Sequence, residues 1–231
     1  MLRLTLMIFS VLGLFFIEQP TIYVSGAMRN IMMKGDLSAK IDLDTLNKKH
    51  LYGLGPVANL KGEIMIIDGQ VFTSEITDNQ MVSKNNKVNK GAMLVYCYVE
   101  NWVSKTSENN IANYVDLEKF VEESAKKEGI NLEKPFVFKI EVEPYQIDYH
   151  IIDWKNGENH TMENHKQFAY KGLLKKSKVQ LLGFYSNKHH SIFTHYTTNM
   201  HLHVFDEKTS TVGHLDNIIS NNSIKIYFPK S

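Results

Sequence analysis

The segment Met200-His201-Leu202-His203-Val204-Phe205 alternates imidazole and apolar side chains with a period of two, which belongs to a β-strand. On a strand, His201 and His203 leave from one face while Leu202 and Val204 leave from the other. The stretch from Asp206 to Gly213 is polar and turn-rich, so the chain is expected to reverse there and bring His214 opposite the pair. Three imidazoles from adjoining extended segments can close around one divalent cation. Three protein ligands also leave a position for water or substrate, as a catalytic zinc requires. The His201–His203 spacing alone would equally suit two half-exposed surface histidines, and His214 tips the reading toward a metal site. His189, His190 and His195 are read as loop or rim residues, because the adjacent His189 and His190 would point to opposite faces if extended.

A chain of 231 residues, 43% of them hydrophobic, can bury a sizeable core. Its formal net charge of +1 leaves no electrostatic footprint for nucleic acid, and the basic stretch Lys166 to Lys178 is interleaved with apolar residues like a solvated strand edge. Cys97 is the sole cysteine, so it forms no internal disulfide and is read as a small buried hydrophobe. Arg3 followed by the apolar run Leu4 to Ile17 has the build of a secretory signal, and the run is shorter than the ~20 residues of a membrane span. Residues 1–20 are therefore expected to be a signal peptide or N-terminal anchor, and the protein to be exported, periplasmic or secreted. Ser25-Gly26-Ala27 fits a cleavage site, but cutting there would remove Thr21 to Ser25, which reads as a first strand.

Helical spacing runs from Ala27 to Met33 and stops near Gly35, and Leu43 to Leu46 suggests a short helical turn. Gly53-Leu54-Gly55-Pro56 is expected to break the chain. Gly62 to Ile67 and Gln70 to Ser74 read as strands joined by the two-residue turn Asp68-Gly69, and Ala92 to Val99 as another strand. A helix capped by Asp116 should bury Leu117, Phe120, Val121 and Ala125 and stop at Gly129. From Pro135 onward the pattern is of strands: Phe136 to Val142, Tyr145 to Ile152, Phe168 to Leu174, Val179 to Tyr185, Met200 to Phe205 and Ile224 to Phe228. The expected fold is α+β, with two packed mixed or antiparallel β-sheets and a few helices.

Glu63 opens a strand otherwise made of Ile64, Met65, Ile66 and Ile67, and a carboxylate buried there costs several kcal/mol unless paired or near a cation. It is either the exposed end of that strand or a general acid/base beside the metal. The ordered motifs Gly53-Leu54-Gly55, Leu60-Lys61-Gly62-Glu63, Asp68-Gly69, Gly183-Phe184, His201-Leu202-His203 and Gly213-His214 together resemble the α-acetolactate decarboxylase family. The resemblance covers nearly all of the chain after the leader, so residues 21–231 are expected to form one domain of that family. It implies a Zn2+ held by His201, His203 and His214, with Glu63 near the metal and an acetolactate-like small molecule as substrate. It also implies decarboxylation to acetoin and a homodimer.

Two departures from the family pattern qualify the implied activity. His150, in Tyr145-Gln146-Ile147-Asp148-Tyr149-His150, stands where the family has a substrate-contacting arginine. Arg3 lies in the leader and Arg29 in the first helix, so neither is expected to replace it. A histidine can donate a proton near neutral pH but lacks the bidentate grip of a guanidinium, and His150 is carried as a catalytic residue on that basis. The family's C-terminal glutamate is also missing, since no glutamate follows Glu207. A related metal enzyme acting on a different hydroxy-oxo acid, and a non-catalytic exported metal-binding protein, remain the alternatives.

Overall fold

The computed structural model describes residues 18–77, 80–85, 88–159 and 161–230, so the apolar leader read at Leu4 to Ile17 lies outside the described residues. The chain enters through strand β1 (Tyr23–Ser25) and helix α1 (Met28–Lys34), which Gly35 closes in the left-handed region at φ 62°. Strand β2 (Ile41–Asp42) and a single 3-10 turn at Leu43–Thr45 lead into β3 (Leu51–Pro56). Here the chain does not break at Gly53-Leu54-Gly55-Pro56. These residues form a central strand, because their glycines let neighbouring backbone close in: a Cβ on Gly55 would collide with the carbonyl of Met93. Strands β4 (Glu63–Ile67) and β5 (Gln70–Thr77) form the expected hairpin, turning at Asp68 and Gly69 with φ of 47° and 80°.

Strands β6 (Gln80–Asn85), β7 (Lys90–Gly91), β8 (Leu94–Tyr98) and β9 (Trp102–Glu108) precede helix α2 (Tyr114–Lys127). The cap of α2 is Asn113, whose side chain accepts from the N–H of Asp116; Asp116 itself lies in the first turn, where its charge suits the helix dipole. Its apolar stripe of Leu117, Phe120, Val121 and Ala125 is buried as expected. The second half supplies β10 (Phe136–Val142), β11 (Gln146–Ile152), α3 (Met162–Gln167), β12 (Ala169–Lys175), β13 (Val179–Tyr185), β14 (Met200–Asp206), β15 (Thr211–Ile219) and β16 (Ser223–Pro229).

Two antiparallel sheets result, one ordered β1-β8-β3-β4-β5-β6 and the other β12-β11-β15-β14-β13-β10-β16-β9. They pack face to face through Leu54, Met65, Val95 and Cys97 from the first and Val137, Leu182, Phe184, Phe205 and Val212 from the second. Alternation along β14 assigns its residues to the two sides. Met200, Leu202 and Val204 join the core under α2, and Phe205 meets Phe72 of the facing sheet at 4.3 Å between ring centroids. His201 and His203 share the Phe205 side by the same period, so the fold directs both imidazoles inward between the sheets. Burying large apolar groups on both faces of β14 contributes about 1.5–3 kcal/mol per side chain, and that packing fixes the register which aims the histidines.

Candidate metal centre

The β14–β15 hairpin sets His203 directly opposite His214. The ring centroids of His201, His203 and His214 lie 5.1, 5.0 and 5.7 Å apart, taken as 201–203, 201–214 and 203–214. Gly213 makes room for this close pairing, since a Cβ there would collide with the ring of Tyr149 on β11. On the other side of β15, His150 of β11 pairs with His214, their rings 4.6 Å apart. Glu63 reaches the cluster from the facing sheet, its Oε2 3.5 Å from Nε2 of His203 and its Oε1 accepting from the backbone N–H of Ile152 at 3.3 Å. Glu63 is only 3% exposed, which disposes of the reading in which it sits at an exposed strand end.

Asp216 is the member of the site that sequence reasoning missed. Nδ1 of His150 lies 2.7 Å from Oδ1 of Asp216, and Nδ1 of His214 is 3.8 Å from the same oxygen, a Coulombic contact too long for a hydrogen bond. The available signal was the period of two in His214-Leu215-Asp216, which puts both polar groups on one face. The register shift beside Asp148 and Tyr149, which leaves Asp216 without a partner on β11, carries no mark in the sequence.

The electrostatics separate the groups into two sets. Burial, reinforced by repulsion from neighbouring imidazoles, holds His201 and His203 well below the usual imidazole range; burial, with repulsion from His150 and His195, brings His214 down to about 4 against the pull of Asp216. All three are therefore neutral, the form that ligates metal. Burial pushes Glu63 up to about 7, against the opposing pull of His150 and the Ile152 N–H. For His150, burial favours the neutral ring, but the hydrogen bond and charge of Asp216, with Glu63, outweigh it and raise the imidazole above its ordinary value. Asp216 is held below the carboxylate range: burial would raise it, and its contacts with His150 and His214 prevail.

The donor inventory tests whether a metal suits these residues. Among the described residues, both ring nitrogens of the fully buried His203 lack a hydrogen-bond partner, as do Nδ1 of His201 and Nδ1 of His214. Each buried, unsatisfied polar group costs on the order of 1–3 kcal/mol, and a cation in their midst would remove that cost. A second set, His150, His214 and Asp216, brings one ligand atom from each residue within 4.8 Å of the others. There His150 and Asp216 already satisfy one another at 2.7 Å. The two sets thus differ in kind, one of unpartnered imidazoles and one of mutually satisfied groups, with His214 common to both.

A cavity of about 570 Å³ opens onto this cluster, with Glu63, His150, His201, His214 and Asp216 in its wall alongside Met28, Ile31, Met32 and Met93. His195 is a rim residue, as expected, its ring 6.2 Å from that of His214. His189 and His190 are engaged elsewhere, with Ser186 and Asn199 at 2.7 and 2.8 Å. Cys97 packs between the sheets, burial pushing its thiol up. Arg29 departs from expectation: the helix that carries it docks over the cavity and places it in the wall.

Two packed antiparallel sheets of an α+β fold, with a pocket walled by buried imidazoles, a buried carboxylate and a His150–Asp216 pair, have the build of a small-molecule enzyme site. The α-acetolactate decarboxylase family model matches residues 22–229, and the chain belongs to that family, one of carboxy-lyases. The fold agrees with solved structures that are distant in sequence. An α-acetolactate decarboxylase from Bacillus subtilis strain 168 is 14% identical and superposes with a TM-score of 0.73, covering 91% of this chain and 86% of that one. The enzyme from Bacillus subtilis subspecies spizizenii gives 13% and 0.74 at the same coverage. A Staphylococcus aureus protein of unknown function, described as similar to the decarboxylase, gives 11% and 0.72, again at 91% and 86%. No curated protein matches the chain by sequence.

Proposed function

We propose that the protein is a zinc-dependent decarboxylase of a 2-hydroxy-3-oxo acid, with α-acetolactate as substrate and acetoin as product. The observation that carries this reading is the set of buried nitrogens on His201, His203 and His214 without a hydrogen-bond partner among the described residues, with His201 and His214 in the wall of a cavity shared with Glu63 and His150. Those three imidazoles would hold the ion, which supplies Lewis acidity to the substrate's oxygens when bound.

The chain's own groups then handle protons. As the carboxylate leaves as carbon dioxide, the electron pair of the broken carbon–carbon bond passes into the adjacent carbonyl, giving an enediolate that needs one proton on carbon. His150 is suited to deliver it. Asp216 occupies its Nδ1 and raises the imidazole above its ordinary value, which favours the protonated ring and leaves Nε2 as the nitrogen free to donate. Glu63, pushed up to about 7, is poised to exchange a proton with the substrate's hydroxyl near neutral pH. Water is limited around both by the apolar wall of Ile31, Leu60, Met93 and Ile152.

Metal analysis and an acetoin assay on one preparation test this reading. About one zinc per chain with acetoin formed from acetolactate supports it; bound zinc without acetoin anywhere from about pH 5 to 8 overturns it. A related 2-hydroxy-3-oxo acid is the second reading, favoured by a cavity of about 570 Å³ with a methionine-rich wall.

A further inference from the structure

The cavity wall carries two permanent cations, Arg29 and Lys171, from elements remote in sequence. Arg29 sits on α1, and that helix is fastened by two backbone hydrogen bonds, Met28 N–H to Ile192 O at 2.9 Å and Arg29 N–H to Ser191 O at 2.8 Å. Ile31, buried with Leu60, Met93, Ile152 and Trp154, locks the same helix onto the cavity's apolar side. Lys171 lies on edge strand β12 directly across from His150, so both residues share the face that looks into the cavity. Among the described residues, neither Arg29 nor Lys171 forms an ion pair with a carboxylate.

We propose that Arg29, assisted by Lys171, is the recognition site for the substrate's carboxylate. This inference rests on the reading of the substrate as a hydroxy-oxo acid and adds which side chains select the acid. The charge inventory supports it. Of the other ionisable groups in the wall, Glu63 and Asp216 are acidic and His150 is already paired with Asp216, so a monoanion entering the cavity finds its unengaged counter-charge at Arg29 and Lys171. Both cations are exposed at the rim, where they attract an anion from solution without being buried themselves.

The chemistry also fixes which kinetic constant they govern. A carboxylate becomes neutral carbon dioxide as the bond breaks, so a cation that grips it stabilises the bound substrate more than the transition state. Arg29 therefore lowers KM and does not raise kcat. Arg29 is a binding residue and takes no part in proton transfer.

The test uses the full-length protein with its metal and a stable probe, 2,3-dihydroxy-2-methylbutanoate, compared with its neutral methyl ester by calorimetry. Arg29→Met is expected to weaken the acid by about 10- to 100-fold and leave the ester within about 2-fold, because one charge-assisted contact is lost. Arg29→Lys should recover part of the loss, and Lys171→Met should cost less than Arg29→Met. With acetolactate, Arg29→Met should raise KM by a similar factor, with kcat unchanged or raised and never lowered. Equal binding of the acid by the unsubstituted and Arg29→Met proteins overturns the assignment while leaving the decarboxylase reading intact. Failure of acid and ester alike to bind the unsubstituted protein overturns both.

Discussion

His203 faces His214 across a single β-hairpin rung, and neither ring nitrogen of His203 has a hydrogen-bond partner among the described residues. A core histidine kept for packing would normally satisfy at least one nitrogen. The unsatisfied pair is what the proposed ligand role for His203 accounts for. His203→Ala is expected to abolish stoichiometric metal binding and acetoin formation together, whereas His150→Ala should keep the metal and lose about 10²- to 10⁴-fold in kcat. Elemental analysis of the two variants separates the three-imidazole set from the alternative set of His150, His214 and Asp216. Metal lost from His150→Ala and kept in His203→Ala would reverse the assignment.

Glu63 approaches the same imidazole from the facing sheet, 3.5 Å from Nε2 of His203. Glu63→Gln preserves its size and its acceptance of the Ile152 N–H but removes the exchangeable proton. Activity is expected to fall by about 10²- to 10⁴-fold with metal content unchanged, and the limb of the pH profile near 7 should vanish. A full-rate Glu63→Gln variant would remove the carboxylate from the chemistry.

Much of this site could be read from the sequence because its geometry is local. The period of two in β14 fixed the shared face of His201 and His203, and the Asp206 to Gly213 turn returned His214 to the adjoining strand. Glu63 stood out because a carboxylate opening an isoleucine-rich strand needs a partner. The features that escaped depend on long-range packing. Arg29 reaches the cavity only because α1 hydrogen-bonds to Ser191 and Ile192, and the bulge that leaves Asp216 unpaired arises in the pairing of β11 with β15. Gly53 and Gly55 resembled turn residues until the closeness of β8 supplied their reason. At α2, Asn113 and Asp116 are both good capping residues, and the backbone direction at Asn113 decides between them.

Gly213 is the steric counterpart of the site. A methyl group there meets the ring of Tyr149, which is itself packed in the core under α2. Gly213→Ala should destabilise the protein by about 1–3 kcal/mol through overpacking and shift His214 off its register, lowering metal affinity as well. Tyr149→Leu in the same chain should restore part of both losses. Thermal melts and metal titrations of the single and double variants check this, and additive losses in the pair would refute the proposed contact.

Removing the metal should leave a protein that is weakened by mild acid. His201, His203 and His214 are held below the ordinary imidazole value near 6.5, His214 down to about 4, so the unfolded chain binds protons that the folded chain refuses. Stability from these groups is fully present above about pH 6.5 and is lost as pH falls toward their folded values, up to ~3 kcal/mol for His214 alone. Glu63 and His150, both raised, act in the opposite sense: their contributions are present at low pH and fade as pH rises through their folded values, about 7 for Glu63. Three depressed imidazoles outweigh two raised groups, so the chelator-treated protein should melt lower at about pH 5 than at about pH 7. In Glu63→Gln the opposing carboxylate is gone and the acid-side loss should steepen. A metal-free Tm that rises on acidification would mean that the imidazoles are not buried in the neutral form.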